Sequence, residues 1–372
     1  MKILFAAGGT GGHINPALAA AGEIRKQYPD TKILFVGTAE KMESRLVPAA
    51  GFDFTTIKIT GFQRKLTPAN IIRNILTVFY ILTSSMQARK IIKNFAPDVV
   101  VGFGGYVSGP VVRQAAKMGI KTAIHEQNAY PGVTNKTLAK QVDRVMLTVR
   151  QAEKYLEPKN PCTVTGLPVR GELLEADRDI SRAELGIPDD AVLVLSMGGS
   201  LGARTVNEAM VNYIAERCEN KKLYFIHAYG QYGSWVPDML KQKGIEPSEH
   251  KNVVLREYID DMARCMSAAD IVIGRAGAST LSELQALSKA SLLIPSPNVA
   301  ENHQYHNAMA LVENGAAVMI EEKELTQKKF NAELDRLTQS GELVQKLSHN
   351  AGAMAMPDAK KAIAEIIVSL TD

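Results

Sequence analysis

The sequence predicts an α/β fold with two doubly wound parallel sheets, and three observations support this. Short apolar runs alternate with helical stretches of ten or more residues along the 372-residue chain. Most of these runs are continuously apolar, as expected for strands buried on both faces of a parallel sheet. The two halves also open alike, since residues 3–12 and 193–202 each contain an apolar run, a Gly-Gly-hydroxyl turn and a further glycine. This repeat predicts two Rossmann-like domains.

The predicted strands of the first half are residues 3–7, 32–37, 99–102, 122–126, 144–147 and 162–166. Those of the second half are residues 192–197, 223–228, 253–257, 271–274, 291–295 and 317–320. Residues 171–190 lack strand character, so we expect one domain over residues 1–168 and another over 169–356. Apolar residues at helical spacing after Pro357 predict a terminal helix over residues 358–370. Asp177 and Asp179 are interpreted as a solvated helix start.

The composition excludes several classes of protein. With 46% hydrophobic and 22% charged residues, the chain is typical of a globular protein rather than a disordered or fibrous one. A net charge of +4 does not by itself imply a nucleic-acid partner. The three cysteines form no CxxC pair and the seven histidines form no HxxxH or HExxH motif, so no metal site is predicted. No signal peptide or transmembrane helix is predicted, and the cysteine usage suits a reducing compartment.

Three glycine-rich loops follow predicted strands, at residues 8–12, 102–109 and 198–202. Glycines there let backbone N–H groups approach an anion, and the next helix adds a partial positive charge. None matches GxGxxG or GxxxxGK[ST], which disfavours a kinase or P-loop NTPase and weakens a dinucleotide enzyme. Tight strand–helix packing is the alternative explanation. Two such loops in one half and one in the other suggest a cleft that holds two diphosphate-bearing substrates.

Polar residues are also predicted at the carboxyl ends of strands, where ligands bind in such sheets. His13 follows the first loop and can serve as a general base, or it can simply cap the helix. His125 to Asn128 end another strand and can face a ligand there. The alternative is that they form a solvated loop. Glu283 falls early in a helix, within reach of a ribose, although an acidic residue there also favours the helix dipole. Residues 301–304 suit sugar hydroxyls or form an ordinary polar loop.

An apolar segment at residues 71–82 is flanked by basic residues. Such a helix is either buried in the core or docked on an anionic membrane surface. The residues assigned to this patch are Ile71, Arg73, Ile75, Phe79, Leu82 and Arg89.

Several motifs together resemble one known family. They are GGTGGHINP at residues 8–16, GGYVSGP at 104–110, HEQN at 125–128, GLPVR at 166–170, GGSLGAR at 198–204 and RAGASTLSE at 275–283. In this order they resemble the MurG family of GT-B glycosyltransferases over most of the chain. The resemblance implies inverting, metal-independent transfer of GlcNAc from UDP-GlcNAc to the C4 hydroxyl of MurNAc in undecaprenyl-pyrophosphoryl-MurNAc-pentapeptide (lipid I). The products are lipid II and UDP, and no cofactor is implied.

The resemblance also implies roles for individual residues. The donor-binding residues are Thr10, Gly11, Gly12, Asn128, Arg170, Ser200, Ile259, Ala278, Ser279, Thr280, Leu281, Ser282, Glu283 and Gln304. Asn128 and Gln304 would hold the sugar, Ser200 the diphosphate, and Glu283 the ribose, while the Ile259 backbone holds uracil. His13 is the candidate base and Glu126 its rival. Residues that would position the acceptor or its diphosphate are Gly104, Gly105, Tyr106 and His125.

The resemblance further implies a peripheral enzyme on the cytoplasmic face of the bacterial inner membrane, whose last helix, residues 357–372, returns to the N-terminal domain. Cell-wall synthesis and division proteins are possible partners. The chain departs from the family's pattern at two positions. His303 and Leu201 each stand where many members of the family have glutamine. The alternatives are a different UDP-sugar enzyme of this fold, such as a glycolipid glycosyltransferase or a UDP-GlcNAc 2-epimerase, and a nucleotide-sugar-binding protein without activity.

Overall fold

The computed structural model describes residues 1–61 and 67–371, without the side chains of residues 68–79, 81 and 82. The chain divides into two compact units. The first comprises Met1–Pro168 with Pro357–Asp372, and the second comprises Val169–Met356.

The first unit contains one sheet and the helices that cover it. Its strands are β1 (Lys2–Ala6), β2 (Lys32–Gly37), β3 (Asp53–Thr56), β4 (Val99–Gly102), β5 (Lys121–Glu126), β6 (Arg144–Leu147) and β7 (Thr163–Val164). Its first helices are α1 (Gly11–Gln27), α2 (Glu43–Ala49), α3 (Pro68–Phe95), α4 (Ser108–Lys117) and α5 (Val133–Ala139).

The second unit repeats this plan. Its strands are β8 (Val192–Met197), β9 (Leu223–Ala228), β10 (Val253–Arg256), β11 (Ile271–Gly274), β12 (Ala290–Leu293) and β13 (Val318–Met319). Its helices are α6 (Gly171–Glu175), α7 (Arg178–Leu185), α8 (Arg204–Arg217), α9 (Val236–Gln242), α10 (Met262–Ala268), α11 (Ala278–Ala286), α12 (His303–Val312), α13 (Gln327–Gln339) and α14 (Gly341–Ala353). The last helix, α15 (Ala359–Val368), belongs to the first unit and packs on α1.

Both sheets have parallel strands in the order expected of a doubly wound fold. The first has the order β3-β2-β1-β4-β5-β6-β7 and the second β10-β9-β8-β11-β12-β13. In each, the first strand of the unit pairs in parallel with a neighbour on either side, so the direction of winding reverses there. The predicted fold class, two parallel-sheet α/β domains, is confirmed.

Each sheet is buried on both faces, which explains the continuously apolar strands. In β1, Ile3 and Phe5 join one hydrophobic cluster while Leu4 and Ala6 join the cluster on the opposite face. Phe5 stacks on Phe35 with ring centroids 5.0 Å apart. Helix α15 contributes to the first cluster through its isoleucines, because they lie on one face of the helix.

The sequence missed one strand and misjudged some ends. Strand β3 was not predicted because its four residues include Asp53 and two threonines, and it pairs on one side only, at the edge of the sheet. Strand β7 is two residues long where five were predicted. The predicted helix start at Asp177 is confirmed, since its carboxylate accepts a hydrogen bond from the Ile180 amide at 2.9 Å.

Candidate active site

The topology locates a candidate site in each unit. Ligands of open α/β sheets bind outside the carboxyl ends of the strands, where the strand order reverses. In the first unit these ends are those of β1 and β4, which lead into the glycine loops at residues 8–12 and 102–109. In the second unit they are those of β8 and β11, which lead into residues 198–202 and the start of α11.

A buried carboxylate braces the first glycine loop. Glu43 is 1% exposed, and its Oε2 accepts a hydrogen bond from the Gly9 amide at 3.0 Å. Its Oε1 accepts from the Thr38 amide at 3.0 Å and from the Thr38 hydroxyl at 2.7 Å. The loop is therefore tied to the end of β2. Sequence reasoning missed Glu43, because a single glutamate 34 residues from its partner carries no local signal.

The second glycine loop packs directly on the first. Gly104 and Gly105 have φ angles of +102° and +78°, which favour glycine. A side chain on Gly105 would collide with the Gly8 carbonyl, and one on Gly104 would meet the His13 ring. The Ser108 hydroxyl, which is buried, accepts from the Gly104 amide at 3.0 Å. These contacts show the tight-packing role of the glycines, and diphosphate binding by the same loops stays a prediction.

His13 lies half-buried in the first turn of α1, beside both loops. Its Nδ1 is 3.1 Å from the Gly8 carbonyl oxygen and 3.3 Å from the Thr10 hydroxyl. A carbonyl only accepts, so Nδ1 carries a proton in that bond. In the neutral ring the lone pair then belongs to Nε2, the nitrogen that can take a proton. This geometry suits the predicted base.

His125 is fully buried in β5, and its imidazole uses both nitrogens internally. Nε2–H donates to the Gly166 carbonyl at 2.9 Å, and Nδ1 accepts from the Gln127 amide at 3.1 Å. Burial lowers the pKa of His125 to about 4, so the ring is neutral near pH 7. Any effect of His125 on an acceptor is therefore indirect, through the Gly166 segment and the loop at Phe103, which it stacks on.

Glu126 is also buried and is held by a local network. Its Oε1 accepts from the Asn128 amide at 2.9 Å, and its Oε2 accepts from the Asn135 side chain at 2.8 Å and from the Gly132 amide at 3.2 Å. Burial raises the pKa of its carboxyl, and these bonds oppose the rise. The Asn128 side chain also donates to Oε1, at 3.3 Å, and a carboxylate whose two oxygens already accept from four donors is poorly placed to take a substrate proton. Asn128, half-buried, is oriented by the same network.

Tyr106, the remaining residue predicted to position the acceptor, is 60% exposed at the tip of the second loop. A side chain on Gly61 would collide with its ring, so the two lie in close contact.

In the second unit, the glycine loop after β8 is shaped by two close approaches. Gly202 and Gly230 have φ angles of +82° and +73°, and each lies where a side chain would strike the other segment's backbone. The Gln231 amide donates to the Ser200 carbonyl at 3.1 Å. Ser200 and Leu201 are exposed, and helix α8 begins three residues after Leu201. The loop thus presents Ser200 in front of a helix N-terminus, which favours an anion there.

Glu283 and Arg170, which are both predicted to bind the donor, form an ion pair. Arg170 Nε donates to Glu283 Oε1 at 3.0 Å, and Arg170 Nη1 donates to Glu172 Oε1 at 3.3 Å. Burial raises the pKa of Glu283, while the Arg170 charge lowers it. The predicted residues from Ala278 to Glu283 form the first turns of α11, with Leu281 and Ser282 turned into the interior.

The other predicted donor residues are more dispersed. The Ile259 side chain is buried after β10, which leaves its backbone as the only part that can hold a base. Gln304 Oε1 accepts from the Ser296 amide at 2.9 Å. Just before it, Glu301 and Asn302 have φ angles of +54° and +49°, a strained turn of the kind that clusters at binding sites. His303 bonds to the Ala300 carbonyl through Nδ1 at 2.8 Å, and burial lowers its pKa.

The structure describes only part of the predicted membrane patch. Helix α3 spans it, and Arg89 is exposed on that helix. The side chains of Ile71, Arg73, Ile75, Phe79 and Leu82 lie outside the described residues. Within the described part of the chain, no helix combines the length and apolar character needed to cross a bilayer.

A second buried histidine leads to a pH prediction. His227 is fully buried, bonds through Nδ1 to the Ser196 hydroxyl at 2.7 Å, and has a pKa that burial lowers from 6.5 to about 4. The unfolded chain therefore binds more protons between these values, and the histidine's contribution to stability is lost as the pH falls through that window. Between pH 7.5 and 4.5 we expect His227 to cost about 2–3 kcal/mol of unfolding free energy.

Denaturant unfolding of wild type and His227→Gln at both pH values measures this cost. At pH 4.5 the unfolding free energy of wild type relative to the variant should be lower by that amount than it is at pH 7.5. A difference that does not change with pH would contradict the assignment.

Comparison with known proteins identifies the family. The Glycosyltransferase family 28 N-terminal domain matches residues 3–147, and the Glycosyltransferase family 28 C-terminal domain matches residues 193–363. The chain belongs to glycosyltransferase family 28. It is therefore a glycosyltransferase, as the motifs predicted.

Individual proteins related to this family 28 chain agree. A protein of Acetivibrio thermocellus named UDP-N-acetylglucosamine--N-acetylmuramyl-(pentapeptide) pyrophosphoryl-undecaprenol N-acetylglucosamine transferase is 44% identical, over 99% of this chain and 97% of its own. The crystal structure of Acinetobacter baumannii MurG matches with a TM-score of 0.81 and 29% identity, over 99% of both chains. The predicted resemblance is confirmed. A UDP-GlcNAc 2-epimerase from Neisseria meningitidis, with a TM-score of 0.66, 14% identity and coverage of 99% of this chain and 100% of its own, shares the fold alone.

Proposed function

We propose that this enzyme transfers GlcNAc from UDP-GlcNAc to the C4 hydroxyl of MurNAc in lipid I, giving lipid II and UDP. The observation that carries the proposal is the full-length match to a relative whose name specifies an N-acetylglucosamine transferase acting on N-acetylmuramyl-(pentapeptide) pyrophosphoryl-undecaprenol. The three glycine loops and the polar strand ends are consistent with a donor and an acceptor that both carry diphosphates.

Both units contribute residues to substrate binding. The second unit supplies most of the donor-binding residues, with Glu283 on the ribose, the Ile259 backbone on uracil and Gln304 on the sugar. The donor-binding residues of the first unit are Thr10, Gly11, Gly12 and Asn128. Amides near Ser200 and the N-terminus of α8 stabilise the negative charge that develops on the departing UDP. The first unit holds the acceptor beside the two packed loops at Gly8 and Gly104.

The reaction is a single displacement with inversion at C1 of GlcNAc. His13 takes the proton of the acceptor hydroxyl through Nε2 as the bond between C1 and the UDP oxygen breaks. The proton remains on the imidazole until it passes to solvent, and the electron pair of the broken bond leaves with UDP. The hydrogen bond from Nδ1 to the Gly8 carbonyl holds the ring in the required tautomer.

The acceptor is lipid-linked, so the enzyme works at a membrane. We infer that α3 docks the first unit on the anionic cytoplasmic face, with Arg89 among the basic residues that attract it. Binding to vesicles with and without anionic lipid tests this step independently of catalysis.

The decisive experiment measures transfer of labelled GlcNAc from UDP-GlcNAc to a short-chain lipid I analogue with EDTA present. Formation of the labelled disaccharide lipid, with inversion, supports donor, acceptor and metal independence together. Release of ManNAc without transfer would favour the epimerase, and UDP-GlcNAc binding without turnover would favour a binding protein. Either result would overturn the proposal.

Replacement of Glu283 by glutamine tests the donor site. The variant keeps the shape of the side chain but loses the charge that accepts the ribose hydroxyl protons, so we expect the dissociation constant of UDP to rise about 10–100-fold. Calorimetry on UDP measures it. Glu172→Gln is the matched control, because Glu172 contacts the same Arg170 but is 65% exposed, and its UDP affinity should not change. Unchanged affinity in Glu283→Gln would remove Glu283 from the ribose.

A further inference from the structure

Three potential metal ligands of different types meet in the second unit, away from the candidate active site. The liganding atoms of Cys218, Glu219 and His250 all lie within 4.8 Å of one another. His250 Nδ1 and Glu219 Oε1 are 3.9 Å apart, beyond hydrogen-bonding distance. Cys218 is buried, the His250 side chain is 12% exposed and the Glu219 side chain is 80% exposed.

The imidazole of His250 provides the second observation. Its Nδ1 is buried and makes no hydrogen bond within the described residues. Buried polar nitrogens nearly always have a partner, so one without any indicates a missing partner. The thiol and the carboxylate nearby would complete a metal's coordination with this nitrogen, and one ion would satisfy all three groups.

The backbone around these residues is already fixed. The side chain of Asn252, which is 3% exposed, donates to the Cys218 carbonyl at 2.9 Å and to the Leu223 carbonyl at 2.8 Å. The Val253 amide donates to the His250 carbonyl at 2.9 Å. The turn after α8 and the turn before β10 are therefore held together before any ion binds, which favours binding.

We propose that Cys218, Glu219 and His250 form a Zn²⁺ site, with a water as the fourth ligand. A sulfur, a nitrogen and an oxygen ligand suit tetrahedral zinc better than magnesium or calcium, which prefer oxygen alone. Binding converts the Cys218 thiol to a thiolate and releases its proton to the solvent. Lys221, whose Nζ is 3.8 Å from Glu219 Oε2, gives up its contact with that carboxylate.

The position of the site indicates a stabilising role. Cys218 and His250 precede the amino ends of β9 and β10, whereas the glycine loop follows the carboxyl end of β8. The length of a six-residue strand, roughly 20 Å, separates the two edges of the sheet. Zinc would join the turns before β9 and β10 without contacting the donor, so activity measured at a temperature where the protein is fully folded should be independent of it.

The test uses the full chain, stripped with EDTA and desalted, and titrated with Co²⁺ and then Zn²⁺. We expect one Co²⁺ per chain with a sulfur-to-cobalt charge-transfer band, displacement of Co²⁺ by Zn²⁺, and a rise in Tm of about 3–5 °C with excess Zn²⁺. Calorimetry in buffers of different ionisation enthalpy should show release of about one proton per Zn²⁺.

Matched variants locate the ligands. Cys218→Ser should abolish the band, and His250→Gln should weaken Co²⁺ binding at least about tenfold. Cys162→Ser and His349→Gln change the same residue types elsewhere and should behave as wild type. If Cys218→Ser fails to fold, His250→Gln and Glu219→Gln still decide the question. Wild type without the band, a band that survives in the Cys218 variant, or an unchanged Co²⁺ affinity in the His250 variant overturns the proposal.

Discussion

Replacing His13 by alanine is expected to lower kcat for glycosyl transfer by about 10²–10⁴-fold, the usual contribution of a general base. The dissociation constant of UDP-GlcNAc should be nearly unchanged, because His13 itself is not among the residues proposed to bind the donor. Steady-state transfer to a soluble lipid I analogue and calorimetry on the donor measure the two quantities separately.

Two controls separate loss of the base from loss of packing. The ring of His13 lies against Gly104, so alanine also leaves a gap between the loops. His13→Asn keeps an amide that can donate to the Gly8 carbonyl but offers no base, and it should lose as much activity as alanine. Added imidazole should restore part of the alanine variant's turnover. Near-wild-type turnover in either variant would exclude His13 as the base and return attention to Glu126.

The sequence was sufficient to predict the repeated architecture. Continuous apolar runs such as those of β1 and β8 indicate strands buried on both faces, and the glycine turns after them mark the point where the strand order reverses. His13 was found because it directly follows such a turn. These signals come from residues that are close together in the sequence, so they can be recognised in a single sequence without knowledge of the fold.

What the sequence could not provide depends on contacts between distant residues. Glu43 acts on Gly9, and His250 approaches Cys218, only because the fold brings their elements together. The same holds for the burial of His125 and Glu126, which looked like ligand-facing residues at a strand end. No spacing rule distinguishes a histidine that faces a ligand from one that bonds to Gly166 inside the unit.

Replacing Asp270 by alanine is expected to destabilise the second unit by about 3–5 kcal/mol, because it leaves a buried guanidinium without a counter-charge. Arg182 is 1% exposed, and its Nη1 donates to Asp270 Oδ2 at 3.0 Å. The same carboxylate accepts from the Leu193 amide at 2.8 Å, at the start of β8. The change therefore loosens the strand that leads into the donor loop, and Tm should fall by about 10 °C.

The control and the rescue follow from the same geometry. Asp190→Asn removes an ion pair with Lys222 whose two side chains are 72% and 74% exposed, and it should change stability by less than about 1 kcal/mol. Adding Arg182→Met to Asp270→Ala removes the unpaired charge and fills the space with an apolar chain, so it should recover part of the loss. If Asp270→Ala melted like Asp190→Asn, the three carbonyls that Arg182 also contacts would be sufficient to hold its charge in the interior. Chemical denaturation followed by circular dichroism measures the unfolding free energy of each variant. A large loss in Asp270→Ala means that the charge pair stabilises β8, whereas a loss like that of Asp190→Asn means that the pair contributes no more than a surface contact does.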